Sequence, residues 1–380
     1  MASLYLHIPF CERKCLYCDF YSIESLAPME EFLAGLAVEI QSYAPRGEGT
    51  RFDTVFFGGG TPSLLTPGQL GSILSRLRST YTIATDAEIT LETNPGTVTP
   101  EKLAAFRSMG VNRLSIGIQS FRDDELQFLG RIHDSSQAVE AVRLARGAGF
   151  DNVSIDLIYS LPGQTPDRWM YTLERGLALE PQHISAYSLI VEDNTPLARM
   201  VRARQVSPNR VEAEAALFEL TMRILEENGF EHYEVSNYAK PGARSRHNYS
   251  YWSHVNYLGF GPSAHSFWRS DDGRSGERWA NVANVSTYSR RLRDQERPLA
   301  FDEKVGLKEL VNERIFLGLR SDGIDLRRLE TEFAIGLDSA QRETVRQLVQ
   351  ESLAVLQGDM LRLTPRGFVL CDEIAARLMV

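Results

Sequence analysis

Residues 4–20 read LYLHIPFCERKCLYCDF, a strand-like segment that runs directly into a group of cysteines. Three of the four cysteines of the chain lie there, separated by three and then two residues: Cys11, Cys15 and Cys18. Thiolates this close on one loop can converge on a single inorganic centre, and soft sulfur ligands select zinc, copper(I) or iron–sulfur clusters. A closed structural site normally has four protein ligands, so three ligands leave one coordination position open. The stretch therefore predicts a metal centre that can bind a substrate or cofactor.

The fourth cysteine, Cys371, lies in FVLCDEIAARL near the other end of the chain. A small apolar side chain would serve equally well in this setting, which is typical of a packed free thiol. We therefore leave Cys371 out of the metal site. Few cysteines, mostly in one cluster, also argue against a disulfide-stabilised fold and indicate a reducing compartment.

The composition indicates an intracellular, enzyme-like protein. With 380 residues, 43% of them hydrophobic, the chain can bury a large core and is expected to divide into a major and a minor part. No apolar stretch is long enough to span a bilayer, so we expect no transmembrane segment and a cytoplasmic location. The net charge of −9 argues against broad binding to nucleic-acid phosphates.

Short apolar, β-branched segments alternate with longer segments of helical periodicity over the first half of the chain. Such alternation predicts parallel strands with right-handed crossovers, and six repeats are too few for a closed eight-stranded barrel. We therefore predict an α/β fold with a partial (β/α)6 barrel, open on one side, whose site lies where the carboxyl ends of the strands converge. The predicted strands are 4–8, 54–57, 88–92, 113–118, 153–158 and 184–189.

Glycines and polar side chains gather at the predicted ends of these strands. The second strand runs into GGGTP at 58–62, and backbone without Cβ atoms lets a ligand approach closely. An isolated run of glycines more often forms a tight turn, but its position at the predicted site favours binding. Four polar residues are predicted at the open end of the barrel: Glu92, Gln119, Arg131 and Asp156. Each of them alone could equally have a structural role, but together they offer hydrogen-bond donors and acceptors to one ligand.

The cysteine spacing CxxxCxxC and five further runs resemble the radical S-adenosylmethionine (SAM) family that contains the oxygen-independent coproporphyrinogen III dehydrogenases and related heme chaperones. The further runs are FFGGGTPS, LETNPG, RLSIGIQSF, GRIHD and SIDLIYSLPGQT. The resemblance covers nearly the whole chain. It implies that Cys11, Cys15 and Cys18 hold a 4Fe-4S cluster, whose open iron is chelated by the amino and carboxylate groups of SAM.

The resemblance also implies that reduction of the cluster, by an electron donor, can cleave SAM to a 5′-deoxyadenosyl radical. SAM is a zwitterion with an amine, a carboxylate, a ribose and a sulfonium, which requires both acceptors and donors. The SAM contacts implied by the family's motifs fall on Tyr5, Tyr17, Gly59, Gly60, Thr61, Glu92, Gln119, Arg131, Asp156 and Ile190.

Two features separate the heme chaperones from the dehydrogenases within this family. The dehydrogenase motif continues to a further cysteine, CxxxCxxCxC, at the position that Phe20 occupies here, and the chaperone pattern has phenylalanine there. A dehydrogenase also carries an N-terminal arm ahead of its first strand, whereas this chain is expected to enter the strand almost at once. Both features favour a chaperone.

A third indication is HNYSYW at 247–252, which reads as the HNxxYW signature of the chaperone group. A neutral imidazole is a good axial ligand for heme iron, and tyrosine and tryptophan rings offer flat apolar surface to a porphyrin. We therefore predict His247 as the heme-binding residue, with Arg244 and Arg246 available for the propionates. Taken without the family, a histidine among aromatic residues is more often a hydrogen-bonded core residue. His254 and His265 are alternative ligands that the sequence does not rank.

The chain is expected to comprise three parts: a radical SAM partial barrel at 1–195, an α+β extension at 196–300 whose HNxxYW segment covers the barrel, and a helical, winged-helix-like domain at 301–380. In the last part, helical patterns precede a predicted hairpin, MLRLTPRGFVL, that turns at 365–367. Because the chain is acidic, we expect this domain to serve packing or partner docking rather than DNA binding.

The leading hypothesis is a heme chaperone that binds a 4Fe-4S cluster, SAM and heme and transfers heme to an acceptor protein, for which a respiratory enzyme is a candidate. The alternative is an oxygen-independent coproporphyrinogen III dehydrogenase, which decarboxylates its substrate oxidatively to protoporphyrinogen IX. A cluster-carrying electron-transfer protein without heme is a third, weaker hypothesis. The sequence identifies no catalytic residue and leaves open the acceptor, covalent heme attachment, SAM cleavage and the oligomeric state, a homodimer included.

Overall fold

The computed structural model describes residues 2–380, and its first half consists of strands and helices in alternation. Six parallel strands pair in chain order, as predicted. They are β1 (Ala2–Ile8), β2 (Arg51–Gly59), β3 (Thr82–Thr93), β4 (Arg113–Gln119), β5 (Asn152–Tyr159) and β6 (His183–Ser188). The helices are α1 (Met29–Ser42), α2 (Pro67–Thr80), α3 (Pro100–Ser108), α4 (Asp123–Leu129), α5 (Ser135–Gly147) and α6 (Pro166–Leu177), with 3-10 turns at Ala44–Gly47 and Pro62–Leu64.

Short polar side chains begin most of these helices. Thr66 and Asp134 each accept a hydrogen bond from the backbone N–H three residues later, and a glutamine there closes a capping box. Thr99 and Thr165 cap in the same way, each followed by a proline at the first helical position. Along β3, β4 and β5, buried apolar side chains alternate with polar ones, and Glu92, Ser115 and Asp156 from these strands line the interior of the barrel.

The middle of the chain extends this sheet at both edges. Its elements are α7 (Pro196–Arg202), α8 (Val211–Glu227), β7 (Glu231–Glu234), β8 (Asn237–Ala239), α9 (Arg246–Trp252), β9 (Asn256–Phe260), β10 (His265–Arg269), β11 (Gly276–Asn281), α10 (Val285–Arg293) and β12 (Leu299–Val305). The resulting twelve-stranded sheet has the order β12-β11-β10-β9-β1-β2-β3-β4-β5-β6-β8-β7.

Strand β9 lies parallel to β1, which the sequence analysis did not predict. It is only five residues long and lies within an aromatic segment, so its periodicity gives little sign of a strand. Helix α9, which carries the HNxxYW motif, immediately precedes β9 and packs against β1 and β2. The motif therefore lies near the amino-terminal ends of these strands, on the side opposite the cysteine loop.

The last part contains α11 (Leu307–Leu319), β13 (Ile324–Asp325), α12 (Leu326–Phe333), α13 (Ser339–Gln350), β14 (Ala354–Gln357), β15 (Met360–Leu363), α14 (Pro365–Val369) and α15 (Cys371–Leu378). Its three strands form an antiparallel sheet of order β13-β15-β14, as a winged-helix-like domain requires. The predicted hairpin turn at 365–367 is wrong. The chain turns at Gly358, whose φ is +61°, whereas Thr364 caps a helix that begins at Pro365.

Within residues 2–380, no helix combines the length and the apolar character that crossing a bilayer requires.

Candidate functional site

The cysteine loop is attached to the barrel at both ends and in the middle. The N–H of Cys11 donates to the carbonyl of Ile23 at 3.0 Å, and the N–H of Ile23 donates to Pro9 at 2.9 Å. The N–H of Leu16 donates to Leu129, at the end of α4, at 3.3 Å. All three cysteines of the loop are free and partly exposed. The loop therefore presents three thiols from a defined backbone.

A cavity of about 760 Å³ lies beside this loop at the carboxyl ends of the strands, where the barrel geometry predicts a site. This volume is toward the upper end of the range for ligand pockets, about 300–1,000 Å³. The structure brings the predicted cluster and SAM residues together on its wall: Cys11, Cys15, Cys18, Tyr5, Tyr17, Gly59, Gly60, Thr61, Glu92, Gln119, Arg131, Asp156 and Ile190.

The glycines at the end of β2 allow a close approach to β1. Gly59 has φ +103°, and a Cβ atom on it would lie 2.6 Å from the ring of His7. A Cβ atom on Gly60 would lie 2.6 Å from the carbonyl oxygen of Phe10, while its N–H donates to Ile8 at 2.9 Å. Glycine is thus required here by packing, and the same absence of side chains opens the backbone to the cavity.

A hydrogen-bonded chain links the glycine turn to the cysteine loop. The Asn94 amide donates to the Thr61 hydroxyl at 2.9 Å, and its oxygen accepts from Arg131 Nη2 at 2.6 Å. Arg131 Nη2 also donates to the Gly117 carbonyl at 2.6 Å, and Nη1 lies 3.4 Å from the Cys15 sulfur. Asn94 was not singled out from the sequence, although it lies in the LETNPG run after Glu92.

Two carboxylates, Glu92 and Asp156, form part of the cavity wall, and neither forms an ion pair with a residue in the range 2–380. Burial, and then the neighbouring Asp156, raise the pKa of Glu92 to about 8. Burial also raises the pKa of Asp156, against the stabilising effect of hydrogen bonds from Ser185 and Ser115. The Ser115 hydroxyl lies 3.0 and 3.1 Å from the two Asp156 oxygens. The pair thus creates a region that favours a positively charged ligand.

His7, which the sequence analysis did not propose, orients Tyr5 at the cavity. Its Nε2 lies 2.7 Å from the Tyr21 carbonyl, so this nitrogen carries the proton and donates. The other nitrogen, Nδ1, is then free to accept from the Tyr5 hydroxyl at 3.3 Å. Burial lowers the pKa of His7 to about 4, which keeps the ring neutral. His7 could have been found from its position two residues after Tyr5 on the same strand face.

His247 is buried in the barrel interior, and both of its ring nitrogens have partners. Nδ1 lies 2.7 Å from the Thr54 hydroxyl, and Nε2 lies 2.9 Å from the Tyr251 hydroxyl. The ring stacks on Phe56 at 4.9 Å between centroids. Burial, and then the Arg113 charge, lower the pKa of His247 to about 3. Tyr251 lies on the cavity wall, whereas His247 lies behind it.

The arginines that were expected to meet propionates have other partners. Arg244 pairs with Asp322 at 2.7 Å and with Glu231 at 3.1 Å. Arg246 donates through Nη1 to the Asp86 carbonyl at 2.7 Å. Arg246 is the first residue of α9 and Arg244 lies two residues before it, and neither contributes to the cavity wall.

The alternative histidines differ in their surroundings. His254 is buried, stacks on Phe267 and has Nε2 3.0 Å from Glu313 Oε2. His265 is exposed and lies on the cavity wall.

The rim of the cavity combines apolar and basic side chains. Phe20 is 68% exposed and Ile190 is 65% exposed, which is unusual for large apolar residues. Arg13 and Lys14 lie on the same wall. Of these four residues, only Ile190 was predicted to bind a ligand, because the exposure of the others depends on the tertiary structure.

The chain is similar to known proteins over most of its length. The Radical SAM superfamily pattern matches residues 5–176, and the HemN C-terminal domain pattern matches residues 305–370. The heme chaperone HemW of Bacillus subtilis is 35% identical over 379 residues, which cover 98% of each chain. The heme chaperone HemW of Escherichia coli is 38% identical over 274 residues, covering 72% of this chain and 71% of the relative.

A solved structure of coproporphyrinogen III oxidase (HemN) from Escherichia coli superimposes with a TM-score of 0.84 and 23% sequence identity, covering 100% of this chain and 90% of that chain. At this identity the likeness establishes the fold alone. The partial barrel and its C-terminal domain thus agree with the predicted fold class. From the full-length relatives, the chain belongs to the HemW family of the radical SAM superfamily.

Proposed function

We propose that the protein is a heme chaperone that holds a 4Fe-4S cluster, SAM and heme and passes heme to an acceptor protein. The observation that carries this proposal is one cavity with three free thiols, two half-buried carboxylates and an apolar, solvent-exposed rim. The curated HemW relatives, which are named heme chaperones, support the same role.

The cluster would be held by Cys11, Cys15 and Cys18. Three free thiols on one loop are soft ligands of the kind that bind an iron–sulfur cluster. The half-buried guanidinium of Arg131, 3.4 Å from the Cys15 sulfur, compensates negative charge on the loop.

SAM would bind against the strand ends. Its positive groups fit the carboxylates Glu92 and Asp156, whose raised pKa values show that their own charges are poorly compensated. The exposed backbone of Gly59 and Gly60 and the side chain of Gln119 supply donors and acceptors for its polar groups. The other proposed contacts are Tyr5, Tyr17, Thr61, Arg131 and Ile190. When bound to the cluster, SAM supplies one-electron chemistry; the residues named here bind and orient it.

The proposed setting is the cytoplasm, with an electron donor for the cluster and a heme acceptor as partners. The free cysteines support this setting, because unpaired thiols are typical of a reducing compartment. The acidic net charge argues against nucleic acid as a partner. Heme would be cargo rather than a permanent cofactor. The ligand of its iron is one of three histidines, His247, His254 or His265.

The test is anaerobic titration of heme into the cluster-reconstituted protein, followed by mixing with an apo-hemoprotein. We expect saturable binding near one heme per chain, seen in the Soret band, and transfer of that heme to the acceptor. The variant Cys15→Ala should lose the cluster absorption while leaving the fold intact, as judged by circular dichroism. Conversion of coproporphyrinogen III, abolished by Cys15→Ala, would contradict the chaperone role and favour the dehydrogenase.

A further inference from the structure

We propose that heme docks at the rim of the cavity with His265 as its axial ligand, between the exposed side chains of Phe20 and Ile190. This inference rests on the proposed heme-binding function and specifies where that function takes place. It assigns His247 a different role, as a positioning residue that holds the Tyr251 hydroxyl at the cavity wall.

His265 is placed at the rim by a rigid turn. It is the first residue of β10, directly after the turn that follows β9. In this turn, the N–H of Gly261 donates to the buried Glu39 carboxylate at 2.8 Å, and the carbonyl of Ala264 accepts from Asn281 at 2.9 Å. Because β9 is parallel to β1, the turn lies at the same end of the barrel as the cysteine loop. A side chain on a turn held by these hydrogen bonds is already in position before it binds iron.

The ring of His265 suits ligation of heme iron. It is exposed and contributes to the cavity wall. Phe301 meets it edge-on at 5.8 Å between centroids, which restricts the ring plane. A neutral imidazole can donate an electron pair to iron.

The lining of the cavity offers apolar and basic side chains for a heme. Phe20, Ile190 and His265 all line the cavity, and Phe20 and Ile190 are 68% and 65% exposed. A flat apolar macrocycle would remove this surface from water. Arg13 and Lys14, on the same wall, can pair with the propionates.

The other two histidines fit this role less well. To bind iron, His247 would have to break its hydrogen bond to the hydroxyl of either Thr54 or Tyr251. Its buried ring would also have to become accessible from the cavity. Its ring supports Tyr251, which in turn packs edge-on against Tyr257 at 4.7 Å. His254 is buried against Phe267 and lies within ion-pair distance of Glu313. Neither ring contributes to the cavity wall.

The test is heme titration of the cluster-reconstituted wild-type protein and four variants, His265→Ala, His265→Met, His247→Gln and His254→Ala. We expect His265→Ala to weaken heme binding by at least roughly tenfold, since even outer-shell changes at metal sites commonly have that effect. Added imidazole should restore its Soret position. His265→Met should bind heme with a changed ligand-field spectrum, which a merely structural role would not produce. His254→Ala and His247→Gln should keep the wild-type spectrum.

The outcomes separate this inference from the function on which it rests. Absence of heme binding by the wild-type protein would refute the chaperone proposal itself. Wild-type binding with an unchanged spectrum in both His265 variants would overturn only the rim site. A loss of the histidine-ligand spectrum in His247→Gln, with SAM binding and cluster absorption retained, would likewise overturn it and return the ligand to the HNxxYW helix.

Discussion

At the scale of single residues, the cavity is defined by polar groups whose charges the protein itself only partly balances. Glu92 and Asp156 lie on adjoining parts of the wall, and burial raises the pKa of both. Other polar groups there are tightly paired, as Arg131 is with Asn94 and Gly117. Unbalanced carboxylates lower the stability of the empty protein but favour binding of a cation.

Glu92→Gln should make the ligand-free protein more stable at pH 8. The pKa of Glu92 is about 8 when folded, against about 4.3 when unfolded, so the folded chain binds the proton more tightly. The free energy of unfolding therefore falls as pH rises from about 4.5 to 8. Water in the open cavity screens part of this effect, so we expect a gain of about 1–2 kcal/mol at pH 8 and little at pH 5.

Urea unfolding at the two pH values measures this difference. Glu212→Gln, a change at an exposed position of α8, is the matched control and should alter neither value. The Glu92 variant should also lose SAM binding, because it lacks the negative charge. An equal stability of Glu92→Gln and wild type at pH 8 would contradict the assigned pKa.

Asn94→Ala should weaken retention of the cluster. The change removes the acceptor of Arg131 Nη2 and the donor of Thr61, and both partners border the cysteine loop. Outer-shell changes at metal sites commonly reduce affinity by about 10–100-fold. We expect cluster absorption to decay about tenfold faster in the presence of an iron chelator. Asn228→Ala, at an exposed helix end, should decay like wild type, and equal rates in both variants would count against the network.

At the scale of secondary-structure elements, the site depends on how closely the ends of β1 and β2 approach each other. Gly60 and Thr61 donate backbone hydrogen bonds to Ile8 and Phe10, at 2.9 and 2.7 Å. These bonds attach the glycine turn to the strand that leads into the cysteine loop. Helix α9 is held at the other end of the barrel, where the Glu88 carboxylate accepts the N–H groups of Arg246 and His247, both at 3.0 Å.

Gly60→Ala should destabilise the protein and displace the cysteine loop. Its Cβ atom would lie 2.6 Å from the carbonyl oxygen of Phe10 and 2.8 Å from that of Ile8, and backbone atoms cannot move aside cheaply. Overpacking of this kind typically costs about 1–3 kcal/mol. Gly68→Ala is the matched control, because a Cβ atom there meets nothing within 4 Å and helix propensity favours alanine.

Thermal unfolding and cluster reconstitution measure both effects. We expect a lower midpoint and poor reconstitution for Gly60→Ala only. Normal reconstitution of this variant would show that the approach of β2 to β1 is not needed for the site.

At the scale of the whole molecule, the winged-helix-like part supports the HNxxYW helix from outside the barrel. Asp322 accepts from Arg244 at 2.7 Å and from Tyr249 at 2.9 Å. Arg314 on α11 donates to the Ser253 carbonyl, at the end of α9, at 2.9 Å. The C-terminal contacts thus reach the elements that close the barrel, which supports a packing role for this part of the chain.

Glu313→Gln should weaken the attachment of α11 to the sheet. Glu313 accepts from Arg278 on β11 at 2.5 Å and lies 3.0 Å from His254. Its side chain is 27% exposed, so its ion pair is partly shielded from water, and we expect a loss of about 1–2 kcal/mol. Glu303→Gln removes a second partner of Arg278 that is 52% exposed, and this change should cost less than about 0.5 kcal/mol. Equal losses in urea unfolding would contradict this ranking.

The sequence by itself determined the cysteine loop, the six parallel strands and the residues at their ends. Spacing on one loop and the alternation of strand and helix periods are local properties, and parallel strands necessarily bring their carboxyl ends to one edge. The sequence alone therefore assigns Gly60, Glu92 and Asp156 to one end of the barrel. The predicted hairpin turn at 365–367 was wrong. The local sequence pattern favours a turn there, but Thr364-Pro365 is also typical of a helix start, and the structure has a helix at this position.

Only the tertiary structure decided which side chains face the cavity. The addition of β9 to the edge of β1 is a contact between distant segments, and it places His265 at the rim while α9 keeps His247 in the interior. The link from Asn94 to Arg131 likewise joins residues from different strand ends. Burial and hydrogen-bond partners depend on such long-range packing, and the periodicity of apolar residues along the sequence does not specify it.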